Sequence, residues 1–319
     1  MKILVAPLNW GLGHASRCVP LVRRFLSQGH EVILGGDGES LTLLRRHFPS
    51  LRYVYLAPLH LRYSAGKRQV WAMLKALPQL WTWSLKDQAM LAAILREEKI
   101  DRVVSDNRFG LYNKSAECIY MTHQLHIFLP RGWRWLEPVV ARIHARIYRR
   151  FNKVWVPDYE AVNSSLAGEL SHPSSFHFLP SLTYIGPLSR FAGLQKTVST
   201  QKYQRVAVLS GLEPQRTLLE KEILARYANQ SESLLIVQGL LNRPNTCIRR
   251  GKTTIVPYME DEELASALLN ADRIIARSGY STIMDLEALG VLGKAELIPT
   301  PGQPEQEYLA FLLSKKHKK

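Results

Sequence analysis

The sequence has little cysteine, and what it has is scattered. Only three cysteines, Cys18, Cys118 and Cys247, occur in 319 residues. Their odd number and wide spacing match neither a disulfide framework nor a zinc site. This pattern favours a reducing compartment, and we therefore predict a cytoplasmic protein.

Long apolar runs are also missing. No stretch approaches the roughly 20 apolar residues that are needed to span a bilayer. The first seven residues form a short strand-like run with a single charged side chain, too brief for a signal peptide. The sequence therefore predicts neither a transmembrane helix nor a secretion leader.

Acidic residues are scarce in the first part of the chain. Residues 1–190 carry 25 Lys and Arg against 13 Asp and Glu, whereas residues 191–319 carry 17 against 14. A basic half suggests an anionic partner such as a phosphorylated lipid, a membrane surface, an acidic glycan or a nucleic acid, with plain solubility as the alternative. Because the chain lacks an RNA-recognition or helix-turn-helix signature, we predict no nucleic-acid partner.

The order of apolar runs and turns predicts an α/β protein. Strand-like runs alternate with helical patterns in both halves of the chain, which indicates two Rossmann-like domains with doubly wound parallel sheets. A stretch rich in Pro, Ser and Gly separates the halves. We predict an N-terminal domain at residues 1–188, a linker at 189–203 and a C-terminal domain at 204–319.

A glycine-rich turn follows the first strand. Gly11 and Gly13 match part of a dinucleotide-binding fingerprint, but Ser16 replaces its third glycine. The second strand ends at the glycine pair before Asp37, which is a loose match to the acid that holds a ribose. This incomplete dinucleotide-binding motif therefore argues against an oxidoreductase.

Polar side chains follow several strands at one predicted sheet edge. His14 follows the first strand, Asp106 and Arg108 follow the fourth, and the triplet 122–124 (Thr-His-Gln) follows the next apolar run. Ligands of open α/β sheets collect outside the carboxyl ends of the strands. We expect His14 to be the base, since histidine titrates near neutral pH, and Asp106 is a second candidate.

Residues 273–289 predict an anion site. An apolar strand leads into a turn of small residues and then into a helix, and the turn contains Ser278, Gly279, Ser281 and Thr282. The first backbone N–H groups of a helix lack internal partners and attract a phosphate. Asp285, one turn further on, suits the hydroxyls of a ribose. Glu305 and Gln306, in a later polar loop, suit those of a sugar.

Two blocks in the basic half mix tryptophans with cationic residues. Residues 60–83 interleave three tryptophans with Arg and Lys, and residues 131–155 place arginines between apolar residues at helical spacing. Such helices lie on anionic lipid, although each block alone also suits a core-facing helix with a solvated arginine face. Two such blocks in one half favour an anionic membrane surface as a partner.

Two motifs together resemble glycosyltransferases of the GT-B fold: Gly11-Leu12-Gly13-His14-Ala15-Ser16-Arg17 and the stretch from Arg277 to Gln306. The resemblance covers nearly the whole chain. It extends to the branch that contains the peptidoglycan enzyme which transfers N-acetylglucosamine to a lipid-linked muramyl sugar. It implies two Rossmann-like domains facing a cleft, and transfer of a hexosyl or N-acetylhexosaminyl group from a UDP-sugar.

The resemblance also implies a cellular setting and a metal-independent reaction. The acceptor would be a lipid-linked or other cell-envelope glycan, at the inner face of the plasma membrane. The nucleotide-sugar is a co-substrate, so no cofactor is implied. Helix N-termini usually stabilise the leaving diphosphate in such enzymes, and the chain has no Asp-x-Asp triplet.

Site roles are implied by position in these motifs. The Met259 backbone would read the base, and Asp285 would hold the ribose. The diphosphate would lie among Ser210, Gly211, Ser278, Gly279, Ser281 and Thr282. Glu305 and Gln306 would read the donor sugar, and the acceptor would lie against Gly11, Gly13, Arg17 and Arg108. His14 would act at the reacting carbon, with Asp106 as the second catalytic candidate.

The C-terminus departs from the family pattern. The chain ends soon after the helix of Gln306, where family members commonly continue into a helix that braces the N-terminal domain. We therefore expect a short C-terminus without this brace.

Two other function classes fit part of the sequence. A nucleotide-sugar hydrolase would use a similar glycine-rich turn, with water as the acceptor. A non-catalytic protein that binds anionic lipid or nucleic acid would account for the charge alone.

Overall fold

The computed structural model describes residues 1–59, 69–174, 181–194, 202–227, 231–244 and 246–316, with the backbone alone for residues 69–76. The predicted membrane block at 60–83 therefore lies partly outside the described residues. So does part of the predicted linker, at 195–201. Within the described residues, no helix combines the length and the apolar character that a bilayer crossing requires.

The N-terminal domain is built on a parallel sheet. Its strands are β1 (Lys2–Pro7), β2 (Glu31–Gly36), β3 (Tyr53–Tyr55), β4 (Arg102–Asp106), β5 (Glu117–Met121), β6 (Lys153–Val156) and β7 (Leu182–Tyr184). They lie in the order β3-β2-β1-β4-β5-β6-β7. The helices are α1 (Leu12–Ser27), α2 (Gly38–His47), α3 (Gln69–Glu97) and α4 (Glu137–Tyr148), with 3₁₀ turns at Arg131–Leu136, Val162–Ser164 and Gly168–Leu170.

The C-terminal domain repeats this architecture on a smaller scale. Its strands are β8 (Arg205–Val208), β9 (Leu234–Val237), β10 (Ile248–Arg250), β11 (Thr253–Val256), β12 (Arg273–Arg277) and β13 (Ala295–Ile298). Their order is β10-β11-β9-β8-β12-β13, and β10 is antiparallel to β11 at one edge. The helices are α5 (Gln215–Tyr227), α6 (Asp261–Asn270), α7 (Tyr280–Ala288) and α8 (Pro304–Lys316), with a 3₁₀ turn at Leu292–Lys294.

The two sheets confirm the predicted fold class of two doubly wound α/β domains. Apolar residues such as Ile3 and Val5 in β1 and Ile274 in β12 are fully buried, because helices cover both faces of a parallel sheet. The strand order reverses direction between β1 and β4 in the first sheet and between β8 and β12 in the second. Such switch points open a crevice at the carboxyl ends of the strands.

The boundary between the domains falls between β7 and β8. The first sheet ends at Tyr184 and the second begins at Arg205. The predicted boundaries at residues 188 and 203 lie within this interval and stay predictions.

The two domains share one apolar core. A single cluster of buried residues runs from Val5 and Leu21 in the first domain to Val206 and Leu235 in the second. The Tyr280 hydroxyl, at the start of α7, donates a buried hydrogen bond of 2.8 Å to the carbonyl of Pro157 in the first domain. The domains are therefore packed closely together.

Helix α8, which carries Glu305 and Gln306, packs against the N-terminal domain. The Tyr308 hydroxyl accepts a hydrogen bond of 2.9 Å from the Glu169 N–H, and the Lys316 ammonium donates to the Ser165 carbonyl at 2.6 Å. Leu309 is fully buried in the shared core. This helix therefore braces the two domains, a role that the sequence did not signal.

If α8 braces the domains, its buried face should govern stability. We expect Leu309→Ala to lower the free energy of unfolding by about 2–5 kcal/mol, because it leaves a cavity in the shared core. Phe311→Ala is the matched control: Phe311 lies on the same helix and is 57% exposed, so its loss should cost less than about 0.5 kcal/mol. Urea unfolding measures both variants, and equal losses would contradict the bracing role.

Candidate active site

The glycine-rich turn places His14 beside the end of β4. Gly11 precedes α1 with φ 71°, a backbone conformation that glycine adopts without strain, and His14 lies in the first turn of that helix. Because β1 and β4 are adjacent parallel strands, Asp106 ends at the same sheet edge. The Nδ1 atom of His14 lies 3.0 Å from Oδ1 of Asp106. The predicted pair of catalytic candidates is thus brought together.

Asp106 is a buried anion and does not reach solvent. Its side chain is fully buried, and Oδ2 accepts a hydrogen bond of 2.7 Å from Nε of Arg17, whose Nη2 also donates to Oδ1. Burial alone would raise its pKa, but the charges of Arg17 and His14 outweigh burial and hold the pKa well below its ordinary value. Both oxygens of Asp106 already contact Arg17 and His14, and its role as a second base stays a prediction.

Two groups lie equally close to Nδ1 of His14. Oδ1 of Asp106, which can only accept, and Nη2 of Arg17, which can only donate, are each 3.0 Å away. Because this Nη2 already donates to Oδ1 of Asp106, we assign the proton to Nδ1 of His14. The lone pair of the ring is then on Nε2. His14 keeps 16% of its side chain exposed, so the ring remains accessible from the cleft. This is the arrangement of a base that is oriented by a buried acid.

The two arginines predicted to contact the acceptor are buried in this structure, and their acceptor contacts stay predictions. Arg17 lies beneath His14 with 1% exposure. Arg108 is fully buried, where it pairs with Asp87 at 2.8 Å and with Asp37 at 2.8 Å and donates to the Ala57 carbonyl. Both guanidinium groups are thus engaged by other protein groups, and Nη2 of Arg17 also lies 3.0 Å from Nδ1 of His14.

The start of α7 lies directly opposite the start of α1. Gly279 precedes the first turn of α7, in which Ser281 and Thr282 are half-buried. The Ser281 hydroxyl donates a hydrogen bond of 2.9 Å to the carbonyl of Gly13 in the other domain. Two helix N-termini therefore meet across the domain boundary, and both carry partial positive charge.

Two predicted donor contacts are occupied within the C-terminal domain. Ser278 is fully buried and its hydroxyl donates to the Gln306 carbonyl at 2.8 Å. The Gln306 side chain accepts from the Thr300 N–H and donates to the Gln303 side chain. Both side chains hold the loop between β13 and α8 in place, and their predicted donor contacts stay predictions.

Asp285 lies at the domain boundary with two partners from the segment after β7. Its Oδ1 accepts a hydrogen bond of 2.7 Å from the Ser189 hydroxyl, and its Oδ2 lies 3.5 Å from Nε of Arg190. Burial raises the pKa of Asp285 to about 6, and the Arg190 charge and the Ser189 hydrogen bond only partly offset it. Ser189 and Arg190 were missed because the sequence places them in a predicted linker.

Glu305 lies at the start of α8 and contacts the N-terminal domain. Its Oε1 lies 2.8 Å from Nε2 of His123, and 29% of its side chain is exposed. Burial opposes ionisation, but the His123 hydrogen bond and the positive charges nearby lower its pKa. The His123 partner was missed, although the polar triplet after β5 signalled the position.

A cavity of about 80 Å³ lies between the domains at these helix starts. Predicted site residues from both domains line it: Gly13, Ser210, Met259, Ser281, Thr282 and Asp285. Gly211 lies close to Gly11 of the other domain, because a Cβ added to Gly11 would lie 3.9 Å from the Gly211 Cα. Sites for small-molecule ligands usually measure about 300–1,000 Å³. The cavity is therefore too small for a nucleotide-sugar in this domain arrangement.

The described residues contain no group of three or more His, Cys, Asp or Glu side chains arranged to hold a metal ion.

No model of a known protein family matches the chain. Curated relatives match it over nearly its full length. Two uncharacterised glycosyltransferases of Methanosarcina acetivorans are 25% identical over 320 residues (96% of this chain, 82% of the relative) and 26% identical over 338 residues (98% and 81%).

Solved structures of glycosyltransferases share the fold. The spinosyn rhamnosyltransferase SpnG has a TM-score of 0.59 at 15% identity and covers 97% of this chain and 84% of its own. Phytolacca americana UGT2, solved with UDP-2fluoro-glucose and pterostilbene, has a TM-score of 0.56 at 14% identity and covers 98% and 83%. The chain thus has the two-domain GT-B fold that the sequence motifs implied.

The raised pKa of Asp285 predicts that the free energy of unfolding depends on pH. Because its pKa is about 6 in the folded protein and 3.8 in the unfolded chain, folding holds this proton more tightly. Its contribution to stability is therefore complete below pH 3.8 and is lost as pH rises through 6, by up to about 3 kcal/mol. We expect Asp285→Asn to remove this loss.

Urea unfolding of the wild type and of Asp285→Asn at intervals from about pH 4 to pH 7 measures this difference. Glu287→Gln, which removes an acid from the same helix, is the control. Parallel stability curves for the wild type and Asp285→Asn would contradict the shifted pKa.

Proposed function

We propose that the protein is a glycosyltransferase that moves a sugar from a nucleotide-sugar to the hydroxyl of an acceptor. One observation carries the proposal. His14, which lies in the first turn of α1 and pairs with Asp106, is opposite the N-terminus of α7, and the Ser281 hydroxyl of α7 donates to the Gly13 carbonyl of α1 at 2.9 Å. A base thus lies beside an anion site, as transfer from a sugar diphosphate requires.

The proposed reaction follows from this geometry. Nε2 of His14 accepts the proton of the acceptor hydroxyl, and the oxygen attacks the anomeric carbon of the donor. The bond between that carbon and the phosphate oxygen breaks, and the nucleoside diphosphate leaves with both electrons. Asp106 stabilises the imidazolium that forms, because it is an anion hydrogen-bonded to Nδ1.

The leaving diphosphate would be stabilised by the start of α7. The first N–H groups of the helix, from Tyr280 to Thr282, have no partner within the helix, and the helix dipole adds partial positive charge. The hydroxyls of Ser281 and Thr282 line the same cavity. These groups act without rearranging during the reaction, which is the most effective form of charge stabilisation.

The donor contacts are proposed from the cavity lining and from Glu305, which lies outside that lining. The Met259 backbone would read the base and Asp285 the ribose. Glu305 would hold sugar hydroxyls with Oε2, since its Oε1 pairs with His123. The similar proteins were solved with UDP-2fluoro-glucose in one case and thymidine diphosphate in another. A UDP- or TDP-hexose is therefore the proposed donor class, with an N-acetylhexosamine as one member.

Entry of this donor would require the domains to separate. The cavity of about 80 Å³ cannot hold a nucleotide-sugar while Ser281 contacts Gly13. Hinge motion between two domains is a common means of admitting and then enclosing a ligand. We propose that donor binding opens the contact between α1 and α7 and places the diphosphate between these helices.

The acceptor is proposed to lie at a membrane surface. Leu77, Trp81 and Leu85 form an exposed apolar stripe along α3, at intervals of four residues. Trp135, Val139 and Ile143 form a second stripe, which runs from the 3₁₀ turn into α4 and is flanked by exposed arginines, Arg131, Arg134, Arg142 and Arg146.

Apolar stripes bordered by arginines bind the interface of anionic bilayers. A lipid-linked or cell-envelope acceptor agrees with such a surface, and the peptidoglycan branch remains one hypothesis for it. The cytoplasmic location also stays a prediction.

The proposed function predicts selective nucleotide-sugar binding and a histidine-dependent turnover. Calorimetry with UDP-, TDP- and GDP-sugars should show binding of one class. With that donor and a membrane extract as acceptor source, His14→Asn should lower kcat by about 10²–10⁴-fold and leave donor affinity unchanged. The asparagine amide can still donate to Asp106, but it supplies no base.

His30→Asn, in the segment between α1 and β2, is the control and should leave turnover unchanged. The absence of binding by every nucleotide-sugar would overturn the proposal. A rate of nucleotide release that no acceptor extract increases would favour the hydrolase instead.

The membrane surface predicts a preference for anionic vesicles. At low salt the protein should sediment with phosphatidylglycerol vesicles and less with phosphatidylcholine vesicles. Replacing Trp135, Val139 and Ile143 together by serine should abolish this binding, because the second stripe is removed. Phe311→Ser, an exposed apolar residue on α8, is the control. Equal sedimentation with both lipids would contradict a membrane role.

A further inference from the structure

His123 lies where the two domains meet, and it contacts both. It follows β5 and is 5% exposed. Its ring stacks on that of Tyr280 from the C-terminal domain, at 4.2 Å between centroids and 8° between planes. Its Nε2 lies 2.8 Å from Glu305, and its Nδ1 lies 3.1 Å from Nη1 of Arg17. Neither the proposed base nor the proposed donor contacts include this residue.

The partners of His123 determine where its proton lies. A guanidinium only donates hydrogen bonds, so Nδ1 must accept from Arg17 and carries no proton. Burial lowers the pKa of His123, which keeps the ring neutral. The remaining proton is therefore on Nε2 and is donated to Glu305. The two hydrogen bonds therefore run in the same direction: Arg17 donates to His123, and His123 donates to the Glu305 carboxylate.

Arg17 connects this chain to the base. Its Nε and Nη2 donate to Asp106, and its Nη1 donates to His123. Because the guanidinium is planar and rigid, the positions of these two acceptors are not independent. Asp106 in turn holds Nδ1 of His14. The described contacts thus run without a break from Glu305 to His14, from one domain to the other.

We propose that Arg17 and His123 are positioning residues that tie the placement of Glu305 on the donor side to the orientation of the His14 base. The proposal rests on the proposed function for the roles of Glu305 and His14. The link from His123 to Glu305 crosses the domain boundary, so it forms when the domains are together and breaks when they separate.

Two variants of His123 test its two hydrogen bonds, to Arg17 and to Glu305, one at a time. In His123→Asn, the side-chain oxygen lies near the position of Nδ1 and still accepts from Arg17, but the side chain is too short to reach Glu305. In His123→Gln, the amide nitrogen lies near the position of Nε2 and still donates to Glu305, while the acceptor for Arg17 is lost.

The hydrogen-bonded chain from Glu305 to His14 predicts that the two His123 variants change different kinetic constants. In His123→Asn the KM for the nucleotide-sugar donor rises about tenfold, because Glu305 is no longer held, and kcat falls less. In His123→Gln kcat falls about tenfold at nearly constant donor KM, because Arg17 and Asp106 lose their alignment with His14. If His123 only stabilised the fold, both variants would lower the midpoint of thermal unfolding, and they would not differ in which of kcat and KM they change.

A second measurement requires no substrate. In protein labelled with ¹⁵N in the histidine rings, the spectrum of the wild type should show His123 protonated on Nε2 and His14 protonated on Nδ1. In Glu305→Ala the ring signals of His14 should shift as well as those of His123, although His14 does not contact Glu305 through any described hydrogen bond. Glu307→Ala, on the same turn of α8, is the control.

The outcomes are distinguishable. If no nucleotide-sugar is turned over, the proposed function fails. The ring spectra alone then test whether the contacts from Glu305 to His14 position the His14 ring. If His14 signals stay unchanged in Glu305→Ala, the chain is overturned whatever the kinetics show. Identical changes in kcat and KM for the two His123 variants would overturn it as well.

Discussion

The buried ion pair between Arg17 and Asp106 is the interaction on which the candidate site depends. Both groups are almost fully removed from water, and removing one partner of such a pair typically costs about 3–5 kcal/mol. In return, the pair keeps Asp106 ionised and thereby fixes the tautomer of His14. The same guanidinium holds His123. One pair, beneath the floor of the cleft, thus organises groups that reach the cleft itself.

The second constraint is the meeting of two helix N-termini. Helices α1 and α7 begin at opposite sides of the domain boundary, and Ser281 contacts the backbone of Gly13 there. Their partial positive charges repel each other, and an anion between them would relieve this repulsion. The small cavity and the shared apolar core show the closed arrangement of the domains. The geometry therefore supports a diphosphate as the ligand that belongs in the gap.

The sequence predicted most of the strands and both sheets, because these follow from local patterns of apolar residues and glycine, but it did not predict the short strands β7 and β10. It placed His14 and Asp106 at one sheet edge, since the ends of parallel strands share that edge. It did not predict the burial of Arg17 and Arg108, because only tertiary partners bury these cations. The His123–Glu305 contact joins residues 182 positions apart, and no local pattern signals such a pair.

The most direct test of the account is a crystal structure of the protein with the nucleoside diphosphate of the donor that binds. We expect the diphosphate to accept hydrogen bonds from the N–H groups at the start of α7, between Tyr280 and Thr282. We also expect Ser281 to leave Gly13 and the ribose to lie against Asp285. A nucleotide bound with its phosphates away from α7, or with the Ser281–Gly13 contact intact, would contradict the account.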